Sequence, residues 1–263
     1  GLQHADYFRR DAQPRLAATR INSSPWLHNL TMSLNLTSTL TAYGSYSRGL
    51  EDNGNAPDST SNRGQPLPAI KSRQYDVGVS WSPNAETKLI VGYFNIKKPY
   101  AAADYTNTYR LLGDETHSGL ELSLNASPLQ GLTVVLGGVF TDPHIDNVGD
   151  AKEVIGKLPV SQPRNIAQLN LDYVLPFAPQ ASVNLSINEF SSFATTVDNR
   201  FNNSYPTIVN VGGRYKFKMR ATPYTLRLII ANATNQYFWY QAGTHAFQPS
   251  HDATATLSIA ADF

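Results

Sequence analysis

Apolar and polar side chains take turns along most of this chain. In the stretch RNIAQLNLDYVL, Ala167, Leu169, Leu171, Tyr173 and Leu175 oppose Gln168, Asn170 and Asp172. In ASVNLSIN, Ala181, Val183, Leu185 and Ile187 oppose Ser182, Asn184, Ser186 and Asn188. VNVGGRYKF sets Val209, Val211, Tyr215 and Phe217 against Asn210, Arg214 and Lys216. The same period of two runs through QYDVGVSW, GLELSLNA and LTVVLGGVF. Successive side chains of a β-strand point to opposite faces, so this pattern predicts strands, each about ten residues long. The last ten residues, TATLSIAADF, alternate as well, with Leu257, Ile259, Ala261 and Phe263 on one side. Ordinary chain ends are short of such patterning, and this one reads as a strand paired along its length.

A two-sheet sandwich would alternate too, and link length separates the two architectures. SPNAET, SPLQGL, LPFAPQ and MRATPY are short, Pro- or Gly-bearing turns. Between them fall long links at about 49–70, 98–107, 143–163, 193–205 and 235–249. Short and long links alternating strictly along the chain are the plan of an outer-membrane β-barrel, with tight periplasmic turns and long external loops. The sequence therefore predicts an all-β, antiparallel transmembrane barrel wall of about 11–12 strands, the twelfth covering residues 2–10. Tyr43, Tyr46, Trp81, Tyr93, Tyr173, Phe177, Tyr215, Phe217, Tyr224 and Phe263 fall near strand ends, as membrane-interface aromatics do. Gln168, Asn170, Asp172, Arg214, Lys216, Lys218 and Arg227 are expected to line a lumen.

Composition changes this picture little. With 21 Lys and Arg against 20 Asp and Glu in 263 residues, a net charge of +1 gives no reason to expect a nucleic-acid partner. Cysteine is absent, which removes disulfides, thiolate metal sites and a Cys nucleophile. The mean hydropathy of −0.32 is compatible with a membrane barrel, which hides its apolar residues at every second position. No window is apolar enough for a transmembrane helix, and the opening GLQHADYFRR has no signal-peptide character. No Gly-x-Ser-x-Gly elbow, P-loop or dinucleotide fingerprint occurs, and the six His form no i, i+4 pair. No enzyme activity, cofactor or metal site is expected.

Six segments together resemble one family. They are SYSRGLE at 45–51, IKSRQYDVGV at 70–79 (through Lys71, Ser72, Tyr75 and Gly78), NIKKP at 95–99, HSGLELSL at 117–124 (through Gly119 and Glu121), GKLPVSQPRN at 156–165 and NATNQYF at 232–238. In this order they resemble the C-terminal half of the β-barrel of a TonB-dependent outer-membrane receptor of the siderophore or ferric-complex type, with Asn165 standing where His is common in the family. The resemblance implies a place in the bacterial outer membrane and no catalysis. It implies a wall that is part of a barrel of roughly 22 strands, and the uptake of a ferric siderophore or similar complex. It also implies partners: outer-membrane lipid, the remaining barrel strands, a plug domain on the same precursor or a separate chain, and the TonB energy-coupling system acting through that plug. No plug is read in residues 1–263, so fragment, split-receptor subunit and self-closing barrel all stay open, as do a passive pore and a structural subunit of a multi-chain assembly.

The external loops carry rings and guanidinium groups suited to an oxygen-rich anionic complex. The ligand-binding candidates are Arg48, Tyr100, Tyr105, Tyr109, Arg110, Arg200, Phe201, Phe238, Trp239 and Tyr240, with His245 beside them. By the same resemblance, the closing strand with Leu257, Ile259 and Phe263 is the expected signal for outer-membrane assembly.

Overall fold

The computed structural model describes residues 1–4, 7–10, 20–243 and 246–262, so His245 and Phe263 lie outside the described residues. The chain is built of strands in the order β1 (Leu2–His4), β2 (Tyr7–Arg10), β3 (Arg20–Ser23), β4 (Trp26–Asn35), β5 (Leu40–Glu51) and β6 (Ile70–Asn84). There follow β7 (Thr87–Ala103), β8 (Tyr109–Leu129), β9 (Leu132–Asp146), β10 (Asn165–Val174), β11 (Ala181–Phe190) and β12 (Phe193–Ala194). The last are β13 (Asn202–Asn203), β14 (Ile208–Met219), β15 (Thr222–Ala231), β16 (Trp239–Gly243), β17 (Ala246–Pro249) and β18 (Thr254–Ala261). A 3-10 turn, Gly149–Glu153, follows β9.

Twelve strands make one antiparallel sheet in the order β1-β4-β5-β6-β7-β8-β9-β10-β11-β14-β15-β18. Neighbours in the sheet are neighbours in sequence once the hairpins β2–β3, β12–β13 and β16–β17 are set aside. Among the described residues no ladder joins β18 back to β1, so the sheet is a wall with two edges. The expected strand at residues 2–10 is shorter than its pattern suggested. Only Leu2–His4 pairs with β4, because Tyr7–Arg10 takes Arg20–Ser23 as its antiparallel partner.

Register turns the alternation into two faces. Ala42 stands opposite Val79, Val79 opposite Val91, Val91 opposite Leu122, Leu122 opposite Gly138 and Gly138 opposite Ala167. Further along, Leu185, Val211, Ile230 and Ala255 form a row of the same face. On β6 the exposed set is Lys71, Arg73, Tyr75, Val77, Val79 and Trp81, with half-buried residues between them. Leu30, Met32, Leu34, Leu120, Leu257 and Ile259 continue this apolar band, each more than half exposed, which in water would be a severe liability. Such a band facing outward is what a bilayer requires.

The opposite face is polar. It carries Asp76, Glu121, Gln168, Asn170, Asp172, Asn184, Arg214, Lys216 and Arg227, and Arg214 reaches Asp172 at 3.2 Å. Tyr43 belongs to this face and not to the outer aromatic ring. The row Tyr43, Gly78, Gly92, Glu121 crosses four strands, and the Tyr43 hydroxyl donates to Glu121 Oε1 at 3.2 Å. A Cβ at Gly78 would come within 2.5 Å of the Tyr43 ring, so the two glycines make the bed on which the ring lies.

Short links occupy one end of the sheet, at 36–39, 85–86, 130–131, 175–180 and 220–221. Gly131 at φ +82 and Arg220 at φ 55 take the left-handed conformations that two of these turns need. Long links occupy the other end. One is shorter than expected, because β7 and β8, 17 and 21 residues long, run on past the apolar band and leave only 104–108 between them. About ten residues suffice to span a bilayer, so the upper halves of β7 and β8 project beyond it. The buried core sits at this end. A single sheet with lipid on one side buries little until loops stack upon it. Ala102, Ile145, Ala151 and Ile155 cluster there, with Tyr100, Leu112, Val148 and Val197 packed against them.

The face assignment predicts opposite outcomes for neighbouring substitutions. Leu122→Lys, on the apolar face, should cost about 2–4 kcal/mol of stability in lipid vesicles, and Ser123→Lys, on the polar face, well under half of that. Equilibrium urea unfolding of the two variants measures it; equal costs would mean that the faces are wrongly assigned.

Candidate ligand-binding rim

The long links do not stand apart; each is tied to the next. Link 52–69 reaches link 104–108, where the Ser61 amide donates to the Asn107 carbonyl at 2.9 Å and Asn62 Nδ2 to the Tyr109 carbonyl at 2.9 Å. Asn147 Nδ2 donates to Asp114 at 3.1 Å, bringing the start of the next link onto β8. Link 147–164 then meets 191–207: the Leu158 amide donates to Asn199 Oδ1 at 2.7 Å, and the Gly156 amide to the Val197 carbonyl at 2.8 Å. Asn199 holds a positive φ of 57, which Asn tolerates better than most residues. Finally Asn203 Nδ2 donates to the Trp239 carbonyl at 2.8 Å, and the Gln241 amide to the Tyr205 hydroxyl at 3.3 Å. The result is one braced rim, held mainly by backbone and carboxamide groups.

The candidate residues fall into three groups. Tyr100, Tyr109 and Arg110 lie at the projecting ends of β7 and β8. Tyr100 is half-buried in the apolar cluster, and burial, then the nearby Glu115 and Tyr109, pushes its phenol up to about 12. Arg110 Nε contacts Asp104 at 2.8 Å. Asp104 also accepts from the Thr106 hydroxyl at 2.6 Å and from the Thr106 and Thr108 amides at 2.9 and 3.1 Å. The Thr106 hydroxyl first, then Arg110 and these amides, hold the Asp104 carboxyl well below the usual carboxylate range. Arg110 is thereby half committed to holding a turn. Tyr105, at the tip of that turn, is 71% exposed and free to meet a ligand.

The second group surrounds a groove of about 580 Å³ lined by Thr195, Thr196, Phe201, Asn202, Asn203, Trp239 and Phe247. Phe201 and Trp239 were expected; Phe247, Asn202 and Asn203 were not. Arg200 is next to the groove and contacts Asp198 at 3.2 Å, with most of its guanidinium in solvent. Phe238 does not join the groove. It packs at a tilt of 56° against Tyr205, whose ring also meets Phe190 and Phe193 with centroids 5.8 and 5.2 Å away. Tyr205 is therefore an aromatic hub beside the groove, joining Phe190, Phe193 and Phe238, and a lone Tyr in a loop gave no hint of that. Tyr240 lies on the β16–β17 hairpin, half exposed, opposite Gln248.

Arg48 makes the third group alone. It sits on β5 on the outward face, opposite Arg73, away from the other candidates. His117 and Glu115 form a contact that the motifs did not flag: Nε2 and Oε1 are 2.6 Å apart, both largely buried, on the polar face below Tyr100. Among the described residues no group of three or more His, Cys, Asp or Glu is placed to hold a metal ion.

Comparison with known proteins gives these features a context. Residues 1–235 match the family model described as TonB dependent receptor-like, beta-barrel. The chain is similar to the ferrichrome receptor FcuA of Yersinia enterocolitica, 25% identical over 214 residues, which cover 77% of this chain and 27% of that protein. It superposes on BauA, the ferric preacinetobactin receptor of Acinetobacter baumannii, with a TM-score of 0.77 and 25% identity over 95% of this chain and 38% of that one. The ferric citrate transporter FecA gives a TM-score of 0.77 at 14% identity, covering 99% of this chain and 41% of that one, a likeness of fold. The chain thus spans 27% of the curated relative and about two fifths of the solved chains.

The Asp104 turn carries a pH prediction. A carboxylate whose folded pKa is depressed stabilises the turn above the unfolded pKa of about 4, and that contribution fades as pH falls below it towards the folded value. The Thr106 and Thr108 amides should keep their hydrogen-exchange protection from neutral pH down to the carboxylate range and lose it only below. Loss of protection already at about pH 6 would show that another group controls the turn.

Proposed function

Because this chain belongs to the TonB-dependent receptor β-barrel family, a transport family and not an enzyme family, we propose that it forms part of the wall and of the external ligand rim of a receptor that imports a ferric siderophore or a similar complex. The family lives in the outer membrane of Gram-negative bacteria, and the apolar band of the sheet suits that place. The observation that carries the reading to a ligand is the groove between Phe201, Trp239 and Phe247, with the mostly solvent-exposed Arg200 at its side. Rings offer flat apolar surface to the organic scaffold of a chelate, and a guanidinium complements the oxygen donors around ferric iron. Tyr105 and Tyr240 extend the same chemistry along the rim.

The mechanism follows from the two ends of the wall. Braced loops present a preformed surface, so a ligand docks with little ordering cost. The polar inward face, with Arg214 and Asp172 paired and Lys216 and Arg227 beside them, gives a plug domain a hydrophilic surface to rest against and slide on. Energy from a TonB system, acting through such a plug, would then open a path along this face. The two edges of the sheet, β1 and β18, are where the remaining strands of a complete barrel would pair.

The test is ferric-complex binding by the receptor that contains this chain, read by quenching of Trp fluorescence with ferrichrome as the first probe and a ferric catecholate as the second. Phe201→Ala should weaken binding about tenfold, the loss of one well-packed ring contact, with the heat-modifiable fold retained. Failure of the unmodified receptor to bind any ferric complex, with ion conductance in its place, would replace this reading by that of a passive pore.

A further inference from the structure

Two loops supply the groove at the rim, and very few residues set their charge. Residues 191–207 contain one acid, Asp198, and one base, Arg200, and residues 235–250 contain no Asp, Glu, Lys or Arg. Among the described residues, none that lines the groove is charged. Arg200 Nε lies 3.2 Å from Asp198 Oδ2, so the guanidinium beside the rings is matched by a carboxylate two residues back. The groove thus joins three rings, two hydroxyls and two carboxamides to one balanced ion pair.

The carboxylate is fixed in place. Asp198 Oδ1 accepts from the Thr196 hydroxyl at 2.6 Å and from the Arg200 amide at 3.1 Å. Thr196 itself lines the groove, so the negative charge stands directly behind the groove wall. The Thr196 hydroxyl first, then the Arg200 amide, hold the Asp198 carboxyl below its ordinary range, which keeps it ionised at neutral pH. Holding the turn needs only Oδ1. Oδ2 faces the guanidinium and cancels the one positive charge that an anionic ligand could use. Arg200, mostly in solvent, keeps further N–H groups for a neutral oxygen acceptor.

Ferric chelates differ first in charge. Three hydroxamates, each singly negative, neutralise ferric iron, whereas three catecholates, each doubly negative, leave a trianion. A site that favours a trianion needs unmatched positive charge, because bringing a polyanion out of water against a neutral wall is costly. A neutral chelate asks instead for ring surface and a few donors, which this groove offers. Resting on the reading of this groove as the ferric-ligand site, we propose that Asp198 is its specificity-determining residue: by cancelling Arg200 it makes the groove select an uncharged ferric tris-hydroxamate over an anionic tris-catecholate. Asp198 acts through its field and need not touch the chelate.

The experiment titrates the purified, full-length receptor containing this chain with ferrichrome and with ferric enterobactin, a tris-catecholate, and reads Trp fluorescence quenching. It is run in low salt at about pH 8, where histidine is neutral. The parent should bind ferrichrome about tenfold tighter than ferric enterobactin. Asp198→Asn keeps the Oδ1 acceptor and removes the charge. It should move the ratio of the two dissociation constants about tenfold towards ferric enterobactin, and about 1 M salt should erase most of that shift. Asp198→Glu, which restores the charge, should bring the ratio back towards the parent's. A parent that prefers ferric enterobactin, or neither, overturns the inference and leaves the receptor reading standing. So does a ratio that Asp198→Asn leaves unmoved, or that the Asn and Glu variants move alike, which marks a turn-holding role only. Binding of neither probe by the parent overturns the inference together with the receptor reading on which it rests.

Discussion

Inside a bilayer there is no water to satisfy a backbone amide, and every other feature of this chain is arranged around that constraint. Each unpaired N–H or C=O in hydrocarbon costs several kcal/mol, so a spanning sheet pairs its strands without gaps. From β4 to β18 the ladders are continuous, each main strand hydrogen-bonded to the next. The period-two alternation follows, since one face of such a sheet meets lipid and the other does not. So does the segregation of links. Turns at one end need only reverse the chain, whereas the other end is free to grow loops.

Those loops resolve a second problem of a one-layer wall, which has no interior of its own. Burial is concentrated where β7, β8 and β9 rise past the lipid and receive the 147–164 segment, around Ala102, Ile145 and Ile155. From there the bracing passes through Asn199 to Tyr205 and on to the β16–β17 hairpin. A ligand groove on long loops would be poorly defined if each loop moved alone. Here its lining residues come from two loops held to each other at Asn203 and Trp239. Rigidity at the rim is thus inherited from the sheet through a chain of short contacts.

Much of the wall was legible because its signal is repeated. Alternation in seven stretches, with links of two lengths, identifies a barrel wall even though each segment alone is weak. The rim was legible only in composition. Phe201 and Trp239 do meet at one groove, but Phe238 turns to Tyr205, Tyr100 is packed into an apolar cluster, and Arg48 faces lipid. Alternation places a residue on one of two faces only relative to its neighbours within the strand; which loop residues converge depends on contacts such as Asn199 to Leu158, across 41 residues of sequence. Extension of β7 to Ala103 was hidden for another reason. Above the membrane a strand no longer needs apolar residues on one side, so NIKKPYAAA carries no period to read.

The motif residues gain a physical meaning from the same sheet. Gly78 and Glu121, far apart in sequence, are members of one cross-strand row with Tyr43 and Gly92. A large ring on the lumen side needs neighbours without side chains, and a partner at its far end to fix it; two glycines and one carboxylate provide both. Gly119 serves differently. A Cβ there would come within 2.1 Å of the Phe140 carbonyl, so only glycine lets β8 and β9 approach this closely just above the apolar band. In NATNQYF, Asn232 and Asn235 hold φ of 50 and 48 and latch β15 to residues 251–253, with Asn232 Nδ2 donating to the His251 carbonyl at 3.1 Å and Asn235 accepting from the Ala253 amide at 2.8 Å. Each of these short patterns therefore marks a spot where the ladder must bend, tighten or end without leaving a polar group unpaired, the same constraint that shapes the wall as a whole.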